Sequence, residues 1–445
     1  MRILLVSPCK DPEIKRPRNI VLPQLALPLI EGLTPPGHEV RIVVEDYERL
    51  DLDAGCDLVG ISCMTANAAR AYALATEFRN RGRLVVIGGV HPTMMPEEAL
   101  RYADSVVIGE AEDVWEDVVR DASNNNLQRR YHTSMPSLDR YVPIRHRRVK
   151  GSAFNLVPIM TTRGCPYNCD FCSVHSVFGR KLRHHPIENV MHAIKDANAH
   201  RILFLDDNIA GNRKYAQDLF TQLRPLGIKW FGQASISIAD DRELVKLAAD
   251  SGCIGLLVGL ESVSAAERER LSKLTNDSQK LEKAIRTIRD VGIQFHPSFI
   301  FGFDHDNKDV FENTLEFLTK NKIGTADFFA LTPYPGTEIY RKFEADGRLL
   351  TREWTKYDTI SAVYRPMNLT AEELQTGLAW TKYQFTKLSA ILKRLPQNLA
   401  HPLAFGGVAL AYRKSFRRHM RAGKYGISFA DLRRSRSRTS ITSGS

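Results

Sequence analysis

The sequence contains no apolar run close to the roughly 20 residues that a membrane-spanning helix requires. Its first eight residues, MRILLVSP, have the pattern of a buried β-strand and lack the regions of a signal peptide. From these two absences we expect a chain that is neither membrane-inserted nor exported. Its thiols would then remain reduced in the cytoplasm.

Cysteine is scarce, with seven residues among 445, and four of these lie in apolar or turn contexts where small buried side chains are ordinary. Acidic residues are fewer than basic ones, which gives a formal net charge of +11. This charge is compatible with nucleic acid, anionic lipid or an acidic cofactor, but much of it lies at the C-terminus. The length and the hydrophobic content of 43% predict two or three globular domains.

The other three cysteines, Cys165, Cys169 and Cys172, lie in one stretch, TRGCPYNCDFC, at residues 162–172. The C-x3-C-x-F-C spacing lets one loop direct three thiolates at a single iron–sulfur cube. A [4Fe–4S] cube has four corners, so one iron would keep a position open, as catalytic metals do for substrate. The alternative is a zinc knuckle with His175 as the fourth ligand.

This motif, with Phe171 directly before the third cysteine, resembles the signature of the radical S-adenosylmethionine (SAM) enzymes. The resemblance implies that SAM chelates the open iron through its amino and carboxylate groups. It also implies that one electron from the cluster cleaves the sulfonium and releases a 5′-deoxyadenosyl radical. A reductant such as flavodoxin or ferredoxin is therefore an expected partner.

Residues 1–122 alternate short apolar runs with a helical pattern at 66–79, which predicts an α/β domain with a doubly wound parallel sheet. Ligands of such sheets bind beyond the carboxyl ends of the strands. Glycines there let a large cofactor approach the backbone, although in a generic flavodoxin-like domain they would only form turns. The candidate residues at this edge are Ser62, Thr65, Gly88, Gly89 and Gly109.

The same domain resembles the cobalamin-binding domain that precedes many radical SAM domains. The matching stretches are DLVGISCMT at 57–65, GGVHPT at 88–93, PEEA at 96–99 and GEAE at 109–112. The D-x-H-x-x-G element that supplies a histidine to cobalt in other cobalamin proteins is absent. We therefore expect cobalt without a histidine ligand, and we expect His91 to support the loop or to contact the cofactor edge.

A polar, proline-bearing segment at 123–150 predicts a linker, and its basic cluster at 145–148 is more typical of a solvated face than of a phosphate site. Residues 151–337 then alternate strands and helices with a longer repeat. This pattern predicts a partial (β/α)6 TIM-type barrel, as the radical SAM resemblance also implies. The strand candidates are 156–162, 202–205, 230–236, 254–260, 295–301 and 327–331.

Active-site residues of such barrels stand at the carboxyl ends of strands. The resemblance implies that the second-strand group holds the SAM amino group, that the fourth-strand acid contacts ribose or methionine, and that the fifth-strand glycine pairs with adenine. The second-strand group differs from the Gly-Gly-Glu of many relatives, and each residue alone is also an ordinary cap or turn residue. The candidates, in strand order, are Asp206, Asp207, Asn208, Gln233, Ser235, Glu261 and Gly302.

Residues 338–396 predict a small helical domain, with a capping box formed by Thr370 and Glu373. This region loosely resembles the C-terminal part of cobalamin-type radical SAM enzymes that act on hopanoids and similar polycyclic lipids. One apolar helical face is predicted, formed by Leu374, Leu378, Thr381, Phe385, Leu388 and Leu392.

Residues 397–445 predict a basic, partly disordered tail. An apolar stretch at 401–412 runs into six cations between 413 and 424, which is typical of contact with an anionic membrane surface. A plain solvated tail is the alternative. We expect the arginine-rich end at 433–445 to be disordered.

Together, the domains predict a radical SAM enzyme with a [4Fe–4S] cluster and cobalamin that methylates an unactivated carbon of a lipid-like or polycyclic small molecule. A cyclase or oxidative rearrangement enzyme with the same cofactors is the nearest alternative, and a non-catalytic iron–sulfur or zinc scaffold is a second. Nucleic-acid binding would rest on net charge alone, and we do not expect it.

Overall fold

The computed structural model describes residues 1–10, 12, 24–133, 135–146, 155–270, 278–394, 402–421, 423 and 425–434. Two compact units are distinguished by their internal contacts. The first comprises Met1–Trp230, Tyr334–Arg341 and Glu353–Thr355. The second comprises Phe231–Pro333, Lys342–Arg352 and Lys356–Ser445.

A six-stranded parallel sheet forms the N-terminal part of the first unit, in the strand order β2-β1-β3-β4-β5-β6. This topology confirms the predicted doubly wound fold. The strands are β1 (Arg2–Ser7), β2 (Glu39–Val44), β3 (Leu58–Ser62), β4 (Leu84–Gly88), β5 (Ser105–Ile108) and β6 (Arg130–His132). The helices are α1 (Ala26–Leu33), α2 (Ala68–Asn80), α3 (Val90–Met94), α4 (Pro96–Ala99) and α5 (Trp115–Ser123).

The central strands are apolar along their whole length because helices cover both faces of the sheet. Helix α5 buries Trp115, Val118, Val119 and Ala122, at the spacing of one helical face, against this core. Strand β6 lies within the segment that the sequence predicted as a linker. Three residues are too few to show the apolar–polar alternation by which a strand is recognised in a sequence. They are identified as a strand only by their pairing with β5.

The remaining strands confirm the predicted partial barrel. Six of them form a second sheet in the order β14-β13-β12-β11-β10-β7, and its pairs β7–β10, β12–β13 and β13–β14 are parallel. Strands β8 and β9 form a separate antiparallel pair. The strands are β7 (Val157–Ile159), β8 (Thr162–Arg163), β9 (Arg183–His184), β10 (Arg201–Phe204), β11 (Lys229–Ala234), β12 (Cys253–Glu261), β13 (Gln294–Phe301) and β14 (Asp327–Ala330).

The predicted first barrel strand at 156–162 is interrupted, because β7 ends at Ile159 and β8 begins at Thr162. The helical spacing of apolar residues at 310–320 also predicts a helix there, and α12 confirms it without a shift. The helices of this region are α6 (Val174–Phe178), α7 (Ile187–Asp196), α8 (Arg213–Leu223), α9 (Arg242–Asp250), α10 (Ala265–Arg270), α11 (Ser278–Asp290), α12 (Val310–Lys320) and α13 (Glu338–Ala345).

Four further helices follow: α14 (Ala371–Phe385), α15 (Leu388–Lys393), α16 (Pro402–Arg421) and α17 (Phe429–Arg434). The capping box at Thr370 and Glu373 is confirmed at the start of α14. The predicted apolar face continues only to Phe385. Lys387 adopts an extended conformation that ends α14, so Leu388 and Leu392 lie on another helix and are 54% and 66% exposed.

The apolar stretch of the predicted tail lies in α16. Within the stretch, Ala409 is buried and Leu410 is 57% exposed. Beyond it, Phe416 and Met420 of α16 pack in a cluster of buried side chains with Ala379, Tyr425 and Leu432. The contact of this stretch with a membrane surface stays a prediction. The basic positions 147, 148 and 424 lie outside the described residues. Of the end predicted to be disordered at 433–445, positions 433 and 434 belong to α17, and 435–445 lie outside the described residues. In the described part of the chain, no helix has the length and hydropathy needed to span a bilayer.

Candidate functional site

The loop with the three cysteines starts directly after β8. Gly164 begins it with a φ of +87°, and a Cβ there would lie 2.8 Å from the Lys181 carbonyl oxygen, so only glycine fits. Cys169 is buried, whereas Cys165 and Cys172 are partly exposed. The Cys172 N–H donates to the Cys169 carbonyl at 3.0 Å, which folds the loop tightly.

A carboxylate from the next barrel strand fixes the backbone before this loop. Asp206 follows β10 and is 2% exposed. Its Oδ1 accepts the Thr161 hydroxyl at 2.6 Å, the Thr162 hydroxyl at 2.7 Å and the N–H groups of both threonines. Burial raises the pKa of Asp206, and these hydrogen bonds offset part of the rise. The protein itself therefore engages this carboxylate, and its contact with the SAM amino group stays a prediction.

Asp207 and Asn208 differ from Asp206 in their surroundings. Asp207 is partly exposed, and its carboxylate accepts the N–H of Gly164. Burial and the neighbouring Asp206 raise the pKa of Asp207 to about 6. Asn208 is 3% exposed, and its carbonyl accepts the Gly211 N–H at 3.0 Å. Of the three candidates after β10, Asp207 retains the most access to a ligand.

The donor chemistry fits a cluster better than a single ion. Among the described residues, no three His, Cys, Asp or Glu side chains converge as a mononuclear metal site would require. The zinc alternative with His175 therefore has no preformed ligand set there. Thiolates that each bind a different iron of a cube need not converge in this way.

Polar and glycine residues line the carboxyl edge of the first sheet, as the sequence predicted. Gly89 has a φ of +108°, and a Cβ there would lie 2.7 Å from the Cys63 carbonyl oxygen, so contact within the protein already requires glycine. A Cβ at Gly88 would make only ordinary contacts. Ser62 and Gly109 are partly exposed, and the N–H of Gly109 donates to Thr93 Oγ1 at 3.0 Å.

Beyond the predicted set, Met64 lies at the same edge with 63% of its surface exposed. An exposed apolar side chain beside open backbone fits the face of a large cofactor. Its only sequence signal is its position inside the stretch at 57–65.

His91, expected either to support the loop or to contact the cofactor edge, is fully buried. Its Nδ1 lies 3.3 Å from Thr65 Oγ1, which is also buried, and its Nε2 lies 3.5 Å from Glu98 Oε1. Trp354 Nε1 donates to the same Glu98 oxygen at 2.8 Å. His91 and Thr65 thus support the turn from inside, as the alternative expectation for His91 stated.

Three candidates lie in the second unit, on or directly after β11 and at the end of β12. Gln233 is exposed on β11, and Ser235 directly follows that strand. Glu261 ends β12 with a φ of +57°, at an irregularity in the pairing of β12 with β13. A positive φ is uncommon for glutamate, and its side chain folds back over Gly259. Such backbone strain and bulges are concentrated at functional sites.

Gly302, the fifth-strand candidate, offers no open space at its α-carbon. A Cβ there would collide with the Tyr364 hydroxyl, which donates to the Gly302 carbonyl. Asp306 Oδ2 accepts the Gly302 N–H at 2.8 Å. Tyr364 therefore occupies the space beside this glycine, and the pairing of Gly302 with adenine stays a prediction.

Sequence reasoning missed a buried ion network in the first unit. Arg163 pairs with Glu110 and with Glu112, the latter at 2.5 Å, and Arg183 also pairs with Glu110. The GEAE stretch at 109–112 was a signal for the two acids. Their arginine partners are distant in the chain and carry no motif.

Comparisons with known proteins agree with this architecture. The B12 binding domain model matches residues 33–119, and the Radical SAM superfamily model matches residues 159–318. The bacteriochlorophyllide d C-8(2)-methyltransferase of Chlorobaculum tepidum is 30% identical over 89% of this chain and 94% of its own length. The C-12(1)-methyltransferase of the same organism is 32% identical over 77% of each chain.

Among solved structures, the radical SAM methyltransferase TsrM from Kitasatospora setae shares the fold. It aligns with a TM-score of 0.63 and 16% identity over 78% of each chain. The identity of about one third to the Chlorobaculum enzymes extends along most of the chain and includes both matched regions. This chain therefore belongs to the radical SAM superfamily, among its cobalamin-binding enzymes.

Proposed function

We propose that the chain transfers a methyl group to an unactivated carbon of a polycyclic, lipid-like small molecule. The observation that carries this proposal is the similarity to a bacteriochlorophyllide C-methyltransferase along 89% of the chain. That similarity covers a B12 binding domain and a radical SAM region in one polypeptide. When bound, the cluster and SAM supply a radical that removes hydrogen from carbon, and cobalamin supplies the methyl group.

The residues of this chain would hold these groups in three places. Cys165, Cys169 and Cys172 would bind three irons, with Asp206 keeping the preceding backbone in position. The edge formed by Ser62, Met64, Gly88 and Gly109 would receive cobalamin, with Thr65 and His91 behind it. Asp207 would attract the SAM ammonium.

The proposed substrate class rests on the relatives. The two Chlorobaculum enzymes are named for bacteriochlorophyllide d, and a hopanoid C-2 methylase of Rhodopseudomonas palustris is 23% identical over 74% of this chain. These named substrates share a large, fused and mostly apolar ring system. A substrate with that chemistry has many unactivated carbons, which suits the cofactor pair.

Ring formation is the second candidate function. An anaerobic magnesium-protoporphyrin IX monomethyl ester cyclase of Cereibacter sphaeroides is 25% identical over 66% of this chain. It matches less of the chain, at lower identity, than the methyltransferases do, so we rank methyl transfer first.

The test uses the full chain, reconstituted anaerobically with iron, sulfide and cobalamin and supplied with a reductant. SAM with a deuterated methyl group is incubated with tetrapyrrole and hopanoid substrates. Methyl transfer predicts a product with the labelled methyl group, and one 5′-deoxyadenosine and one S-adenosylhomocysteine per product. Deoxyadenosine with an unlabelled, ring-closed or oxidised product would contradict methyl transfer and favour the cyclase.

We also propose peripheral contact with anionic membranes through α16. Phe416 and Met420 of α16 are packed in the second unit, so this part of the helix would contact lipid through its cations. Lys414, Arg417 and Arg421 are exposed, and Arg417 lines a cavity of about 360 Å³ together with Lys387 and Arg413. Burial and the nearby Arg417 lower the pKa of Arg413, so an anionic headgroup would relieve this repulsion.

Vesicle sedimentation tests the membrane proposal. The wild-type chain is expected to sediment with phosphatidylglycerol vesicles but not with phosphatidylcholine vesicles. The triple replacement of Lys387, Arg413 and Arg417 by glutamine should weaken binding, since each cation near an anionic surface contributes about 1 kcal/mol. Equal sedimentation of the variant and the wild type would contradict the assignment.

A further inference from the structure

We propose that Glu110 is a positioning residue that holds the cysteine loop and the cobalamin edge in a fixed relation. This inference rests on the proposed function for the identity of the two groups. The contacts themselves lie within the first unit. Glu110 follows Gly109 at the carboxyl end of β5, and its partner Arg163 directly precedes Gly164 and the first cysteine.

Two arginines meet on this one carboxylate. Arg163 and Arg183 are directly opposite each other in the β8–β9 ladder. Like charges at opposed positions destabilise a strand pair unless a counter-charge separates them. Both guanidinium groups pair with Glu110, and Arg163 Nη2 also lies 2.5 Å from Glu112 Oε1. Glu110 is therefore the counter-charge that allows this hairpin to close.

The network is almost completely removed from water. The side chains of Glu110, Arg163 and Arg183 are 4%, 8% and 11% exposed. Its two arginines and two glutamates balance in charge. Buried pairs of this kind contribute little net stability, but the loss of one partner is strongly destabilising. Forked contacts between guanidinium and carboxylate groups also specify geometry more tightly than point charges do.

Each end of the network is fixed in turn. The Glu110 carbonyl accepts the Thr133 hydroxyl at 2.7 Å, and Arg183 Nη1 donates to the Pro136 carbonyl at 2.8 Å. At the other end, Asp206 holds Thr162, the ladder residue next to Arg163. A shift of the cysteine loop relative to the β5 edge would therefore break several buried contacts together.

The experiment compares Glu110→Gln with Glu97→Gln in the cofactor-free full chain by amide hydrogen exchange. Glu97 pairs with Arg130 at 2.6 Å, but both side chains are about half exposed or more, so it is a matched surface control. Glu110→Gln should accelerate exchange in both segments, 108–110 and 161–164, by about tenfold or more, because the loss of one partner strongly destabilises a buried ion pair and amide exchange follows local opening. Glu97→Gln should change neither segment.

Glu110→Asp keeps the negative charge, and it replaces the glutamine variant in the experiment if that variant does not fold. It should accelerate the same two segments to a smaller extent. In reconstituted protein, Glu110→Gln should also release iron to a chelator faster and bind cobalamin more weakly than Glu97→Gln does. Acceleration of exchange in one segment alone, or in neither, would overturn the inference. Because exchange is measured without cofactors, this result is independent of whether the chain transfers methyl groups.

Discussion

Carboxylates of similar sequence context have different tasks in this chain. Asp206 and Asp207 are adjacent, yet Asp206 is enclosed by four donors from Thr161 and Thr162, whereas Asp207 keeps partial exposure. Glu110 and Glu112 likewise form ion pairs with Arg163. Most acids around the cysteine loop therefore fix protein geometry, and few remain available to a ligand.

Replacement of Asp206 by alanine is expected to destabilise the cofactor-free chain by about 2–4 kcal/mol, because buried N–H and hydroxyl donors lose their acceptor. Asp206→Asn keeps one acceptor oxygen and should lie between this variant and the wild type. Denaturant unfolding measures both, with the exposed Asp218→Asn on α8 as the control. If Asp206→Ala lost only SAM binding and kept its stability, direct ligand contact would be the better account.

Asp306 should make stability depend on pH. Burial raises its pKa to about 7, because Glu267 adds to the effect and the N–H groups of Gly302 and Phe303 offset only part of it. The folded state then binds a proton that the unfolded state releases. The titration of Asp306 therefore lowers the free energy of unfolding as pH rises from about 4 to 7. One pKa unit corresponds to about 1.4 kcal/mol, which limits the effect to a few kcal/mol.

Thermal unfolding at pH 5 and pH 8 tests this pH dependence of stability. Asp306→Asn should be more stable than the wild type at pH 8, and the difference should shrink at pH 5. The exposed Asp346→Asn should follow the wild type at both pH values. Parallel curves for Asp306→Asn and the wild type would show that Asp306 does not titrate in this range.

At the scale of elements, local signals predicted what depends on neighbours in sequence. Helix α12 matched its periodicity, and the capping box at Thr370 starts α14. The end of α14 was missed because apolar spacing continues through Leu388 and Leu392 although the backbone turns at Lys387. The packing of Phe416 and Met420 on α16 was missed because an apolar run beside cations is equally typical of a helix on a membrane surface and of a helix packed against the protein.

The packing of α16 can be tested by two substitutions on that helix. Phe416 is 5% exposed within the apolar cluster, so Phe416→Ala should cost about 3–5 kcal/mol of unfolding free energy. Leu410 is 57% exposed, so Leu410→Ala should change stability by about 0.5 kcal/mol or less. Denaturant unfolding gives both values. Equal effects of the two variants would indicate that α16 is not docked through Phe416.

At the scale of the whole molecule, the sequence predicted both sheets and the cysteine loop, because apolar strands and close cysteine spacing are local patterns. It could not predict the contacts that hold that loop. Asp206 is 45 residues from Thr161, and Glu110 is 53 residues from Arg163. The contacts of His91 with Thr65 and Glu98, and of Gly302 with Tyr364, were not predicted for the same reason. The domain boundaries and the ligand contacts of the other site residues stay predictions.

The central claim is that three cysteines of one loop hold a cluster that cleaves SAM. The most direct measurement is 5′-deoxyadenosine formed under anaerobic reduction by wild-type chain and by Cys165→Ala, Cys169→Ala and Cys172→Ala. Cys56→Ala, a buried cysteine outside the loop, is the control. Each loop variant should lose cluster iron and form deoxyadenosine only at background level, while Cys56→Ala behaves like the wild type. Retention of both iron and SAM cleavage by any of the three loop variants would contradict the account.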